Sequence, residues 1–145
     1  MLAAAQVRTE VATRLAAVAL TAGRVFEGRY HPATEAELPC WFVALDAEDI
    51  DAQGVTHAGL NEHRLRLRLD GYAASVDALE TTLDTLQAQA LAALHATQPP
   101  WPLRCVAVRR AANDAEGLDG RTGQVSLFLE ALYVTVDGAP ETLIV

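Results

Sequence analysis

The sequence contains no lysine; its 11 basic residues are all arginine, set against 19 acids. A GC-rich codon usage gives the same bias, but the chemistry follows either way. Arginine forms planar bidentate pairs and suits interfaces better than lysine. A net charge of −8 and a pI near 4.8 argue against general affinity for nucleic acid, which needs surplus cations. Cysteine is scarce. Cys40 and Cys105 have no CxxC spacing, which excludes a thiolate zinc site and a disulfide framework. Both lie in apolar strand-like runs and read as buried thiols, as in a reducing cytoplasm, and a single disulfide between them stays open. No membrane-length apolar run exists: residues 85–103 are uncharged, but Gln87, Gln89, Gln98, Pro99, Pro100 and Pro102 break them up. At the start, no basic region precedes an apolar core, and Arg8, Glu10 and Arg14 interrupt the first stretch, so no secretory leader is expected.

What is present is the composition of a globular chain. Hydrophobic residues make up 51% and charged residues 21%, and the 145 residues read as one domain, 1–145. Val7, Val11, Leu15 and Val18 lie on one stripe, which predicts an amphipathic helix over 2–22 stopped at Gly23. Residues 24–39 have no sustained period and read as a connection, with a short strand at 24–26. Residues 40–48, CWFVALDAE, read as an interior strand.

In HRLRLRLDGY, residues 63–72, Arg64, Arg66 and Arg68 alternate with Leu65, Leu67 and Leu69. That period of two predicts a strand with one buried face and one arginine face. Ser75 as N-cap and the spacing of Val76, Leu79, Leu83, Leu86, Ala90 and Leu94 predict a helix over 75–97, stopped by QPPWP. Residues 103–111 and 124–138 read as two strands of a long hairpin, the second central, and the C-terminal APETLIV as a tail or an edge strand. The expected class is α+β: a mixed, mainly antiparallel sheet of about four to five strands with two helices on one face, in the order α-β-β-α-β-β. The connections 49–61 and 112–123 read as long loops.

Catalytic and metal signals are weak. DIDAQG, residues 49–54, resembles the start of a calcium loop, but Leu60 stands where the twelfth position needs a bidentate carboxylate. His31, His57, His63 and His95 have no helical zinc spacing and read as surface histidines. His31 and His57 lie in loops, where a general base could act, yet no nucleophile or orienting carboxylate is set beside either.

One segment goes further. GRVFEGRYHPATEAELPCWFVAL, residues 23–45, resembles the tail terminator family of long-tailed bacteriophages, the minor tail protein U type. The residues that carry the resemblance are Gly23, Arg24, Val25, Phe26, Gly28, Arg29, Pro32, Leu38, Pro39 and Val43. The later order of an arginine–leucine strand, a helix and the strand LFLEALYVTV is also similar, although Val136 replaces the usual aromatic. The resemblance implies a structural virion protein without catalysis or cofactor. It implies a hexameric ring at the neck end of the tail, assembled in the host cytoplasm. That ring stops growth of the tube, touches the tail tube protein, and offers a surface to a head-completion or connector protein.

Charge is segregated along the chain. Residues 30–63 hold Glu35, Glu37, Asp46, Glu48, Asp49, Asp51 and Glu62 and no arginine, and Arg64, Arg66 and Arg68 follow at once. Candidate interface residues toward a neighbouring subunit or the tube are Arg24, Glu27, Arg29, Glu35, Glu37, Asp49, Asp51, Arg64, Arg66 and Arg68. Three readings of the arginines stay open: a solvated face paired to an acid such as Glu130, a contact with the next ring subunit, or contact with DNA held in the channel. Other functions also stay open: a different head–tail connector or tail-completion protein, a small cytoplasmic enzyme using His31 or His57, or a host-directed binding module.

Overall fold

The structure is a computed structural model that describes residues 2–28, 35–51, 59–75, 77–114, 121–136 and 138–144. Helix α1 spans Ala3–Leu15 and buries Ala3, Val7, Val11 and Leu15, the predicted stripe. It ends seven residues before the expected stop. The chain tightens into i→i+3 turns, with the Val18 N–H on the Leu15 carbonyl at 3.0 Å, so Val18 still reaches the core. The Leu20 N–H is taken by Gln89 Oε1 at 3.0 Å and leaves the helical ladder. Gly23, at φ 79°, then turns the chain into the sheet.

Strand β1 (Val25–Glu27) lies parallel to β2 (Cys40–Asp51). Between them a short 3-10 turn covers Glu35–Glu37. Strand β3 (Leu60–Ser75) returns antiparallel to β2. Helix α2 (Leu79–Leu94) crosses back and buries Leu79, Leu83, Leu86, Ala90 and Leu94. Strands β4 (Leu103–Asp114), β5 (Arg121–Val136) and β6 (Ala139–Ile144) complete one mixed six-stranded sheet in the order β1-β2-β3-β5-β4, with β6 also on β5.

The fold is α+β as expected, with β5 central and β4–β5 a long hairpin. The short strand over 24–26 is present as β1, and the C-terminal segment is an edge strand, which raises the count to six. The two long connections shrink, because β2 runs to Asp51 and β4 to Asp114. Polar residues can extend a strand where neither face is covered. Helix α2 starts four residues late: Ser75 remains in β3, and its Oγ accepts the Ala78 N–H at 3.1 Å. The true N-cap, Ala78, makes no side-chain cap.

Both helices pack on one sheet face, against Trp41, Val43, Leu65, Leu67, Leu69, Val125, Leu127 and Leu129, all at most 1% exposed. Each such side chain contributes about 1.5–3 kcal/mol through burial. Gly71 leaves room for Trp41 beneath the sheet. The thiols are both free; Cys40 is buried, but Cys105 is partly exposed on the outer β4 strand, against expectation. Among the described residues no helix is long and apolar enough to cross a membrane.

Candidate assembly surface

Alternation in β3 sends Leu65, Leu67 and Leu69 inward and Arg64, Arg66 and Arg68 to the other face. Register adds Arg104 and Arg109 of β4 to that face, opposite Glu130 and Ser126 of β5. Glu130 is the centre of the patch. Its buried carboxylate accepts from Arg104 Nη2 at 2.8 Å and lies 3.9 Å from both Arg64 and Arg66. The hydrogen bond from Arg104, with the charges of Arg104, Arg64 and Arg66, holds the Glu130 carboxyl below its ordinary value against the opposing effect of burial. The pairing of the arginine strand to Glu130 read from sequence is therefore present, with Arg104 as the nearest partner.

A second carboxylate, Asp70, is also buried. Its Oδ1 accepts from Ser126 Oγ at 2.6 Å, Arg68 Nε at 2.9 Å and Gln124 Nε2 at 3.0 Å. The Asp70 bond raises the Arg68 pKa, and the Arg68 guanidinium lies 5.9 Å from the Phe128 ring centroid. Arg68, Arg109, Gln124 and Ser126 line a shallow open depression.

The patch thus sets five guanidiniums against two central carboxylates, with Asp49 opposite Arg64 at its edge. The side chains of Arg64, Arg66 and Arg104 are 60%, 47% and 70% exposed, so they remain available to a further anion. Among the other described residues arginine pairs one to one: Arg8 with Glu27, Arg14 with Glu10, Arg110 with Asp84.

The other candidates scatter. Arg24 is used within the chain: its Nε donates to the Pro39 carbonyl at 2.8 Å, while its own carbonyl accepts the Trp41 N–H at 2.9 Å. Phe26 packs on Phe42 at 5.4 Å. These contacts explain part of the 23–45 pattern: it ties β1 to the start of β2. Glu27 pairs with Arg8, and Glu37, the last residue of the 3-10 turn, is partly buried. Arg29, His31 and His57 lie outside the described residues, as does the Glu35 side chain. The acids of β2 divide between faces. Asp49 lies opposite Arg64 on the arginine face and Asp51 opposite Glu62, whereas Glu48 takes the register position of the inward Leu65.

Sequence reasoning missed one cluster. His63 is not a surface histidine: it is 4% exposed. Its Nδ1 lies 3.0 Å from Glu48 Oε1 and its Nε2 2.7 Å from Thr135 Oγ1, and its ring stacks on Tyr133 at 4.6 Å. The Tyr133 hydroxyl donates to the same Glu48 oxygen at 2.8 Å. The signal was available, since His63 shares the parity of Leu65, Leu67 and Leu69. The hydroxyl–imidazole–carboxylate line resembles a relay, but Thr135 is 1% exposed and its hydroxyl cannot meet a substrate. The cluster stiffens the sheet beyond the helices. The His95 ring lies between α2 and β4, with Nδ1 3.2 Å from the Leu91 carbonyl and Nε2 3.2 Å from the Leu103 carbonyl. Among the described residues no three His, Cys, Asp or Glu side chains form a metal-sized group.

No protein-family model matches the chain, and no curated protein matches it. Among solved structures, one similar chain belongs to the virion of a native gene transfer agent particle. It is 21% identical, with a TM-score of 0.45, over 90% of this chain and 96% of that one. A likeness this distant says nothing about what the chain does.

Proposed function

We propose that this chain is a structural virion protein of tail-terminator type, a ring subunit that caps the head-proximal end of a phage tail tube and offers the joining surface to the head. The observation that carries the reading is the open arginine face, which holds more guanidinium than the chain itself pairs and so suits an anionic neighbour. The resemblance of residues 23–45 gives that neighbour its context. The ring is hexameric on this reading, and its partners are the tail tube protein and a head-completion or connector protein. The described histidines fit the reading too, since both are engaged in holding strands or a helix end.

The test is a polymerising reaction of the matching tail tube protein. Adding this chain is expected to shorten the tubes and leave a cap at one end, visible by negative-stain microscopy. Unchanged, uncapped tubes in a competent reaction would abandon the terminator role in favour of a connector.

A further inference from the structure

The β2–β3 hairpin carries a charge gradient on its outer face. At the loop end Glu62 lies opposite Asp51 in the register, and in the next pair on this face Asp49 lies opposite Arg64. Arg64 begins the guanidinium patch, which continues through Arg66, Arg68, Arg104 and Arg109. The face therefore runs from acidic at its loop end to an arginine excess further in, with Asp49 and Arg64 as the boundary pair. Two features show that the patch still has capacity. Arg64 and Arg66 only approach Glu130, at 3.9 Å, because Arg104 holds the short bond. Arg109 is exposed on the rim of the Arg68–Gln124–Ser126 depression. The acidic end also carries exposed apolar side chains, Val136 at 38% on the adjoining strand of this face and Ile50 at 60% on the hairpin's other face, paired with His63. Such residues gain from burial against a partner.

We infer that the acidic end of the hairpin of one copy docks on the guanidinium patch of the next, a head-to-tail contact between two copies of this chain. The occupant follows from charge complementarity. The chain is net acidic at −8, whereas on this patch five arginines share a face with Glu130, Asp70 and Asp49. The surface best suited to it is therefore another copy's acidic side. Asp49 faces its own Arg64 across the hairpin, but the patch extends through Arg66, Arg104 and Arg109, away from the acidic end of the same copy. The acidic end of a second copy can reach those arginines, and a heterologous contact of that kind closes into a ring when its rotation allows. This inference rests on the ring reading above and names the contact that would build it.

The test is a charge swap in the full chain. The patch variant is Arg64→Glu with Arg109→Glu, and the tip variant is Asp49→Arg with Glu62→Arg. Thermal melts first establish that each folds; if the patch variant does not, Arg64→Gln with Arg109→Gln replaces it. Assembly is followed by analytical ultracentrifugation, with and without tube protein. Each variant alone is expected to need at least about tenfold more protein to assemble than the unaltered chain. A one-to-one mixture of the two reversals regains assembly with alternating composition by native mass spectrometry, because every contact again joins opposite signs. Variants that each assemble like the unaltered chain overturn this contact and leave the ring standing. If the patch variant then also loses retention of double-stranded DNA, the arginines belong to phosphate instead. Failure of the unaltered chain to assemble, even with tube protein, overturns the ring and the contact together.

Discussion

Gly71 and Gly123 both sit in buried strand positions, yet the sheet treats a methyl group at each differently. A Cβ at Gly71 would stand 2.9 Å from two carbons of the Trp41 ring, a rigid indole that is fully buried. A Cβ at Gly123 would meet Leu79 Cδ1 and Leu83 Cδ1 at 3.0 Å, the far ends of two flexible side chains. Overpacking costs about 1–3 kcal/mol, and alanine regains about 0.5–1 kcal/mol of backbone entropy. Gly71→Ala is therefore expected to lower the urea midpoint clearly and Gly123→Ala to change it little; equal losses would show that the Trp41 contact is not the constraint. Glu130 gives a pH-dependent counterpart. Its carboxyl is held below the ordinary value in the fold, so the unfolded chain binds the proton more readily. Its contribution is fully present above the unfolded value of about 4.3 and is lost as pH falls through the lower folded value. Glu130→Gln should flatten the acid limb of the stability–pH curve, measured by denaturant titration at successive pH values, and leave the curve near neutrality with the same slope.

At the scale of the element, the β2–β3 hairpin shows what the sequence made legible. Strict alternation in residues 63–72 was enough to place three leucines inward and three arginines outward, because a period of two has only one solution when one face is buried. The same parity held for His63, but a polar residue on an apolar stripe reads as surface until its partners Glu48 and Thr135 are brought from far along the chain. The end of α1 was illegible for a similar reason: Gln89, a side chain on the other helix, captures the Leu20 N–H that local propensity assigns to the helix. Strand ends were misplaced where Asp, Gly and Thr signal turns, although long hairpins tolerate them away from the helices. The patch itself was half legible; Arg104 and Arg109 join it only through the register of β4 on β5. The buried cluster near the loop end of the hairpin predicts an alkaline limit. Burial first, and then the bond to Glu48, push the Tyr133 hydroxyl well above its ordinary value. A folded value raised above the unfolded one of about 10 gives stability that is complete below that pH and declines as pH rises through the folded value. Tyr133→Phe is expected to remove part of that alkaline decline in thermal melts between about pH 9 and 11. An unchanged slope would mean that other groups govern the alkaline loss.

For the whole molecule, two electrostatic effects oppose each other, and their ranges separate them. The net charge of −8 makes copies repel at long distance. The proposed contact joins guanidinium to carboxylate at a few ångströms. The screening length is about 30 Å at 0.01 M salt, about 8 Å at 0.15 M and about 3 Å at 1 M. Body-to-body repulsion acts over tens of ångströms and is already damped near physiological salt, whereas close pairs keep most of their attraction there. Between about 0.01 and 0.15 M, added salt should therefore promote association by relieving repulsion; toward about 1 M it should weaken association by screening the contact. A maximum at intermediate ionic strength, read as sedimentation of the unaltered chain across a salt series, is the expected outcome. The tip variant exchanges two acids for two arginines, which lowers the net repulsion and removes the specific contact, so its low-salt rise should shrink and its maximum disappear. Association that instead strengthens steadily to about 1 M salt would assign the contact to apolar residues such as Ile50 and Val136 and would leave the arginines to solvent or to another partner.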